Sequence, residues 1–243
     1  MPSIFPKYHP FCFGKRFTNS TIKNQHGNVL IIILIAIALI AALAAAIQGS
    51  SNNNAQIDKE TLLLRASQVR QYANELERGI YYIMQNGISE SDIRFSHPLA
   101  ATAYGDLSSD TDKTDQIFSR EGGGAQYKNP PEGVNNGDMW EFYGQTALPG
   151  VGSNEAELTA VLPNVTEEFC KVVNSSLGYE GQPEDTSTCI KAANSKRFGD
   201  GEQFALSPNV TEESSFSSTP AKQGCVRCTS DGNYHFFYTL ISR

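Results

Sequence analysis

The pattern of hydrophobic and polar positions divides the chain near residue 50. The nineteen residues from Val29 to Ile47 carry no charge and no polar side chain. A helix of about 18 or more apolar residues is long enough to span a bilayer. The polar stretch Gly49–Asn54 then interrupts the apolar pattern. The pattern predicts a transmembrane helix over residues 28–48 and a polar hinge over residues 49–57.

A second helix is predicted from Asp58, a helix-capping residue, to Asn86, which precedes the helix-stopping Gly87. Its apolar positions alternate in steps of four and three, which is typical of a helix with one buried face. A coiled-coil face has the same spacing, but three heptads make a short coiled coil, so we expect the helix to pack on its own domain. The apolar positions are Leu62, Ala66, Val69, Ala73, Leu76, Ile80 and Ile83.

Strands and one more helix are predicted in the middle of the chain. Two strands, Ala125–Lys128 and Asp138–Tyr143, flank a loop rich in proline and glycine, and Trp140 is expected to anchor the core. A helix over Leu162–Gly178 is expected to start at the capping residue Asn164.

The C-terminus predicts a β-hairpin, Cys225–Thr229 and Tyr234–Ile241, around the turn Asp231-Gly232. The last strand is apolar on both faces, so we expect a central strand covered on both sides and lying under the Asp58–Asn86 helix. The predicted fold class is α+β: an amphipathic helix on an antiparallel sheet, within a globular domain over residues 58–243.

Charge is distributed unevenly between the two ends of the chain. Residues 1–27 contain Lys7, Lys15, Arg16 and Lys23 and no acidic residue, which leaves 15 basic and 26 acidic side chains in the remainder. Basic residues before an apolar run favour a cytoplasmic N-terminus with the body on the other side of the membrane. An acidic body without a basic cluster also argues against nucleic-acid binding.

The cysteines follow the same division. Cys12 lies in the leader, and Cys170, Cys189, Cys225 and Cys228 lie in the body. In an exported protein four cysteines favour two disulfides. If Cys225 and Cys228 lie in one strand, their Cα atoms are about 10 Å apart, too far for a bond between them. We favour Cys170–Cys225 and Cys189–Cys228, with other pairings, a Cys₄ zinc site and a CxxC redox pair as alternatives.

The N-terminal segment resembles the leader of type IV prepilins and pseudopilins: it is basic, it ends in Gly27, and an apolar helix follows. The resemblance covers residues 23 to about 50. It implies cleavage by a prepilin peptidase between Gly27 and Asn28, methylation of the new amine, and packing with other pilin-like subunits. The fifth residue after the junction is Ile32, where pilins usually have Glu, so the resemblance fits a minor or tip subunit better than a major pilin.

Two alternatives to the pilin-like interpretation stay open. One is a plain single-pass anchor in the inner membrane of a bacterium, holding a periplasmic or extracellular binding or adhesion domain. The other is a secretion signal cleaved after the small residues Ala44–Ala46.

The body also resembles bacterial membrane-anchored proteins of no assigned activity. The shared features are Pro130-Pro131 before Trp140, the sequence Leu162-Pro163-Asn164 and the ending Phe237–Arg243.

Enzyme signatures are missing from the sequence, which contains no GxSxG, P-loop, HExxH or GxGxxG motif. We therefore predict a protein that is not an enzyme and has no cofactor. Asp110, Asp112 and Asp115 provide a weak calcium alternative, because the Gly that an EF-hand loop requires at its sixth position is replaced by Asp115.

Overall fold

The computed structural model describes residues 29–49, 52–179, 181–199, 201–211 and 214–243. Gly27, Asn28 and Cys12 lie outside the described residues. The chain divides into two compact units, one ending at Asn52 and the other running from Asn53 to Arg243. The predicted fold class is confirmed at the level of α+β.

The first unit contains helix α1, Val29–Gly49. Side chains are described for residues 29–44, and the large apolar ones among them are between 48% and 68% exposed. Among the described residues, no helix is both long enough and apolar enough to cross a membrane. The predicted transmembrane helix therefore stays a prediction.

Helix α2, Asn52–Gln85, belongs to the second unit except for its first residue. The helix starts six residues earlier than predicted, so Asp58 lies inside it and does not cap it. Of the predicted hinge at 49–57, residues 50 and 51 lie outside the described residues and 52–57 are helical. Gly87 follows the helix with a φ of 88°, a conformation that glycine adopts at little cost and that ends the helix as predicted.

The apolar stripe of α2 packs on its own domain, as expected. Six of its seven predicted positions, from Ala66 to Ile83, are at most 1% exposed, and Leu62 is partly buried. They share one core with Trp140, Phe142, Phe236 and Leu240.

The sheet contains six strands in the order β3-β5-β6-β2-β1-β4. Its four inner strands, β5, β6, β2 and β1, pair antiparallel, as predicted. The two edge strands have two residues each and pair in parallel, so the sheet is mixed. The strands are β1 Glu141–Ala147, β2 Glu157–Val165, β3 Glu184–Asp185, β4 Asn209–Val210, β5 Gln223–Cys228 and β6 Tyr234–Ile241.

The predicted hairpin and the central position of the last strand are confirmed. Strand β6 lies between β5 and β2, and both of its faces are covered. Phe236, Tyr238 and Leu240 belong to the core under α2, and Phe237 belongs to a second core on the opposite face. Helix α4, Ser214–Ser218, contributes Phe216 to that second core.

The predicted strand at 125–128 is wrong, because these residues form a loop. Side chains of α2 accept hydrogen bonds from the backbone amides of this loop. Gln126 N donates to the Glu75 carboxylate at 3.2 Å, and Lys128 N donates to the Tyr72 hydroxyl at 3.2 Å. The next predicted strand begins at Glu141 rather than Asp138.

The predicted helix start at Asn164 is also wrong, because residues 162–165 belong to β2, in which Leu162 and Val165 pair with β6. Helix α3 runs from Glu167 to Leu177, and the Thr166 side chain caps it by accepting a hydrogen bond from Phe169 N at 3.3 Å. Its end at Gly178, with a φ of 86°, is confirmed. Long-range strand pairing therefore prevails over the local capping pattern.

Candidate binding site at one end of the sheet

One end of the sheet brings together polar and aromatic residues from or next to three strands, β1, β2 and β6, and from one loop. Because the inner strands are antiparallel, β1 and β6 begin where β2 and β5 end. Trp140 precedes β1, Asn164 lies near the end of β2, and His235 lies near the start of β6. The loop before and after the short 3₁₀ helix Asn194–Lys196 adds Lys191 and Arg197.

A cavity of about 290 Å³ opens at this end of the sheet. Trp140 is 1% exposed, and its ring contacts Tyr72 and Phe236 edge-on, so it anchors the core as predicted. The same residue also contributes to the cavity wall. The residues that line the cavity include Asp138, Trp140, Glu141, Asn164, Lys191 and Arg197.

Glu141 is the centre of the charge network in this wall. Its carboxylate is buried, forms an ion pair with Arg197, lies 3.6 Å from Lys191 Nζ, and accepts a hydrogen bond from the Tyr143 hydroxyl at 2.8 Å. Burial opposes the charge of Arg197, but the hydrogen bond and charge of Glu141 raise the pKa of its guanidinium overall. Both cations of the wall therefore face the same carboxylate.

Asn164 has an unusual backbone conformation at this site. With φ at 53°, it is the one non-glycine residue of positive φ in the part of the chain that the structure describes. The pairing of β2 with β6 shifts register between Leu162 and Val165, which is where Asn164 lies. Asparagine adopts left-handed conformations more readily than most residues. Non-glycine residues held in these conformations often cluster at functional sites. The Asn164 amide also donates to the Asp138 carboxylate.

Three buried polar atoms on the lining residues have no hydrogen-bond partner among the described residues: Trp140 Nε1, Asn164 Oδ1 and Arg197 Nε. An unpartnered buried donor or acceptor costs about 1–3 kcal/mol. All three atoms have almost no accessible surface, so a molecule in the cavity would reach them only if neighbouring side chains moved.

His235 lies beside the cavity and forms a hydrogen bond with the backbone of Asn164. Its side chain is buried, its Nδ1 accepts a hydrogen bond from Asn164 N at 3.3 Å, and its Nε2 lies 3.0 Å from the Asp231 carboxylate. These contacts place the ring hydrogen on Nε2. Burial lowers the pKa of His235, although Asp231 acts in the opposite direction, so the ring is neutral at pH 7.

The four body cysteines form the two disulfides favoured from sequence. Cα atoms are 5.3 Å apart in Cys170–Cys225 and 5.6 Å apart in Cys189–Cys228. Cys225 and Cys228 are therefore in different disulfides rather than in a CxxC redox pair. The Cys₄ zinc alternative is not supported, because all four sulfurs are bonded.

Potential metal ligands converge at one place within the described ranges. The group consists of Cys189, Cys228 and His235, whose ligand atoms lie within 4.8 Å of one another. The disulfide occupies both sulfurs of the group. The predicted calcium alternative, Asp110, Asp112 and Asp115, forms no such group among the described residues.

The contacts of these aspartates are local. Asp112 accepts from Thr114 N at 3.0 Å and from Thr114 Oγ1 at 2.7 Å, and Asp110 accepts from the Gln116 amide. Burial raises the pKa of Asp115. These contacts are typical of turns, and residues 105–116 contain neither a helix nor a strand.

Sequence reasoning missed most of this site. His235 carries no motif, and Glu141, Lys191 and Arg197 have no diagnostic spacing. One available signal was Asn164 itself, because Pro-Asn before a helix marks a turn. The chain matches no protein-family model, no curated protein and no solved structure, so the site is interpreted from its own geometry.

Proposed function

We propose that the protein is a membrane-anchored, pilin- or pseudopilin-like structural subunit, of minor or tip type, in a bacterial filament or secretion apparatus. The observation that carries the proposal is the packing of the α2 stripe on an antiparallel sheet, in a chain that also has an apolar N-terminal helix. In pilin-like proteins the second half of the first helix packs on such a sheet. The resemblance of the Gly27–Asn28 junction to a prepilin cleavage site is the sequence support.

The proposed location is the bacterial inner membrane, with the leader in the cytoplasm and the disulfide-bonded domain in the periplasm or outside the cell. The basic leader and acidic body support this orientation. Two buried disulfides support an oxidising compartment for the body. The proposed partners are the lipid bilayer, a prepilin peptidase and other pilin-like subunits.

A paired substitution tests the anchor. Leu34 in α1 is 65% exposed and Leu206 in the second unit is fully exposed. A lysine at the centre of a membrane-spanning helix costs about 2.5–3.5 kcal/mol. In bacterial cells, Leu34→Lys should therefore reduce the fraction retained in alkali-washed membranes, whereas Leu206→Lys should not. Equal retention of Leu34→Lys and the parent chain would contradict the anchor.

A second candidate function is an anchored periplasmic binding or adhesion domain with no filament role. The polar cavity at the end of the sheet, lined by charged and amide side chains, favours this candidate. Cleavage at Gly27 separates the two candidates, because a plain anchor keeps its leader. The same cavity can also serve the head of a pilin-like subunit.

A further inference from the structure

We propose that His235 is a pH-sensitive switch: protonation of its ring releases the backbone of Asn164 and makes the wall of the cavity at the end of the sheet mobile. Asn164 lies near the end of β2, just before α3 begins, and it lines the cavity together with Lys191 and Arg197. The switch operates within the globular domain, so it depends neither on the anchor nor on cleavage of the leader.

The backbone of Asn164 requires an unprotonated Nδ1 on His235. A backbone N–H group can only donate a hydrogen bond, and Asn164 N lies 3.3 Å from His235 Nδ1. A neutral imidazole accepts a hydrogen bond at one ring nitrogen, whereas an imidazolium donates at both. A proton on Nδ1 would therefore place two donors against each other and break the contact.

The other ring nitrogen already has its partner. His235 Nε2 lies 3.0 Å from the Asp231 carboxylate, so it carries the ring hydrogen in the neutral form. The His235 side chain is fully buried, so bulk water does not reach Nδ1 in the folded state. A second N–H group would be buried opposite the amide of Asn164, and an unpaired buried donor is costly. Either the ring or the Asn164 backbone must move when the folded state takes up this proton.

Asn164 is the part of the wall that can respond. Its φ of 53° is a conformation that costs a non-glycine residue free energy. The pairing of β2 with β6 shifts register between Leu162 and Val165, so the strand ladder does not hold the Asn164 amide, which donates to His235 instead. Loss of this one hydrogen bond therefore frees the turn that carries the Asn164 side chain into the wall.

Charged groups reach His235 from three elements. Asp231 in the hairpin turn and Glu141 on β1 favour the imidazolium, and Lys191 in the loop after α3 opposes it. Strand β2 faces the ring with the backbone amide described above, and β5 adds Cys228, which does not titrate because it is disulfide-bonded. Burial outweighs the two acids and lowers the pKa of His235 below its usual value of 6.5.

Folding and protonation of His235 therefore oppose each other. The unfolded chain takes up the proton at a higher pH than the folded chain, because folding lowers the pKa of the ring. The contribution of His235 to stability is complete above pH 6.5 and is lost as the pH falls through the lowered pKa. Within the folded state, the same proton favours the conformation in which the ring and Asn164 have separated.

Solution NMR of the isotope-labelled full-length protein in detergent tests the switch. The ring signals of His235 and the exchange protection of the Asn164 amide are followed from about pH 7.5 to about pH 5. We expect the ring to titrate and the protection factor of the Asn164 amide to fall by about fivefold or more with the same midpoint, which is the loss expected from one hydrogen bond. A protonated ring with an unchanged Asn164 amide would overturn the proposal, and so would a ring that stays neutral over the whole range.

His235→Asn removes the titration and keeps an acceptor, because the amide oxygen of asparagine can take the place of Nδ1. The Asn164 amide of this variant should stay protected over the whole pH range. His97→Asn is the matched control, because His97 Nδ1 also accepts a backbone hydrogen bond, from Leu99 N at 3.0 Å, in a turn that does not line the cavity. Its Asn164 transition should equal that of the parent chain. Loss of protection in His235→Asn, or loss of the transition in His97→Asn, would contradict the switch.

Two charge variants keep the proposal testable if His235→Asn fails to fold. Asp231→Asn removes an acid that favours the imidazolium, so the midpoint of the Asn164 transition should move to lower pH. Lys191→Met removes a base that opposes the imidazolium, so the midpoint should move to higher pH. Both side chains are partly exposed. The same midpoint in both variants, or shifts in the reverse directions, would exclude His235 as the titrating group.

Discussion

Tyr238, at the centre of β6, lies with its hydroxyl 2.6 Å from the Glu77 carboxylate on α2. The same hydroxyl is 2.8 Å from Asn74 Oδ1, one helical turn earlier. Lys222, before β5, also pairs with Glu77 at 2.8 Å. Glu77 of α2 therefore contacts β6 and the residue just before β5. These polar contacts add to the packing of the apolar stripe of α2 on the sheet.

Tyr238→Phe should lower the free energy of unfolding by about 1–2 kcal/mol, because the half-buried Glu77 carboxylate loses its nearest hydrogen-bond donor. Urea denaturation followed by circular dichroism measures the change. Tyr82→Phe on the exposed side of α2 is the control and should change stability by less than about 0.5 kcal/mol. Equal changes in the free energy of unfolding for the two variants would show that the Tyr238 hydrogen bond does not contribute to stability.

Gly79→Ala should destabilise the protein although alanine favours helices. A Cβ atom at Gly79 would lie 2.8 Å from Ile117 Cδ1 and 3.0 Å from the carbonyl oxygen of Gly123. The intrinsic gain of about 1 kcal/mol is smaller than an overpacking cost of about 1–3 kcal/mol where backbone must move. Ser67→Ala, on the exposed face of α2, is the control and should be neutral or slightly stabilising. A higher melting temperature for Gly79→Ala would contradict this contact.

Glu157 should make stability fall as pH rises. This residue at the start of β2 is fully buried, and burial raises its pKa from 4.5 to about 8, although the Thr239 hydroxyl acts in the opposite direction. Between these two values the folded state binds a proton that the unfolded state has lost. Its contribution to stability is therefore present below about pH 4.5 and is lost as pH rises to about 8.

Glu157→Gln removes this titration. We expect the variant to be more stable than the parent chain at pH 8.5 and to show a smaller decline in the free energy of unfolding between pH 5 and pH 8. Urea titrations at four pH values in this range measure it. Parallel pH profiles for the two proteins would exclude Glu157 as the cause.

Removal of the Cys170–Cys225 disulfide should cost about 2–4 kcal/mol, because the bond closes a loop of 55 residues in the unfolded chain. The double variant Cys170→Ala and Cys225→Ala is compared with Cys12→Ser, which leaves both disulfides intact.

Thiol titration of the unfolded, unreduced protein tests the number of free cysteines. It should find one free thiol, that of Cys12, in the uncleaved chain and none after cleavage at Gly27.

The elements that the sequence predicted well are those whose signal is local. The stripe of α2 and the hairpin around Asp231-Gly232 have periodicities and turn residues that act within a few positions. The start of α3 was misplaced because Leu162 and Val165 pair with β6, about 70 residues further along the chain. The loop at 125–128 was mistaken for a strand because the amides of Gln126 and Lys128 bind side chains of α2.

The candidate site at the end of the sheet could not be predicted because its parts are distant in sequence. Glu141 meets Lys191 and Arg197 only when the loop after α3 folds across the end of the sheet. Asn164 was recognised as a special position, but as a helix cap. The disulfide pairing could be predicted only in part: strand geometry excludes a bond between Cys225 and Cys228 and reduces the three possible pairings to two, and it does not choose between these two.

Mass spectrometry of the N-terminal peptide from the membrane-bound protein tests the central proposal most directly. Prepilin-type processing predicts a peptide that begins at Asn28 with a methylated amine. An intact N-terminus at Met1 would contradict the pilin-like proposal and leave a plain anchor. A peptide that begins at Ile47 would contradict the membrane anchor as well, because the apolar segment would have been removed.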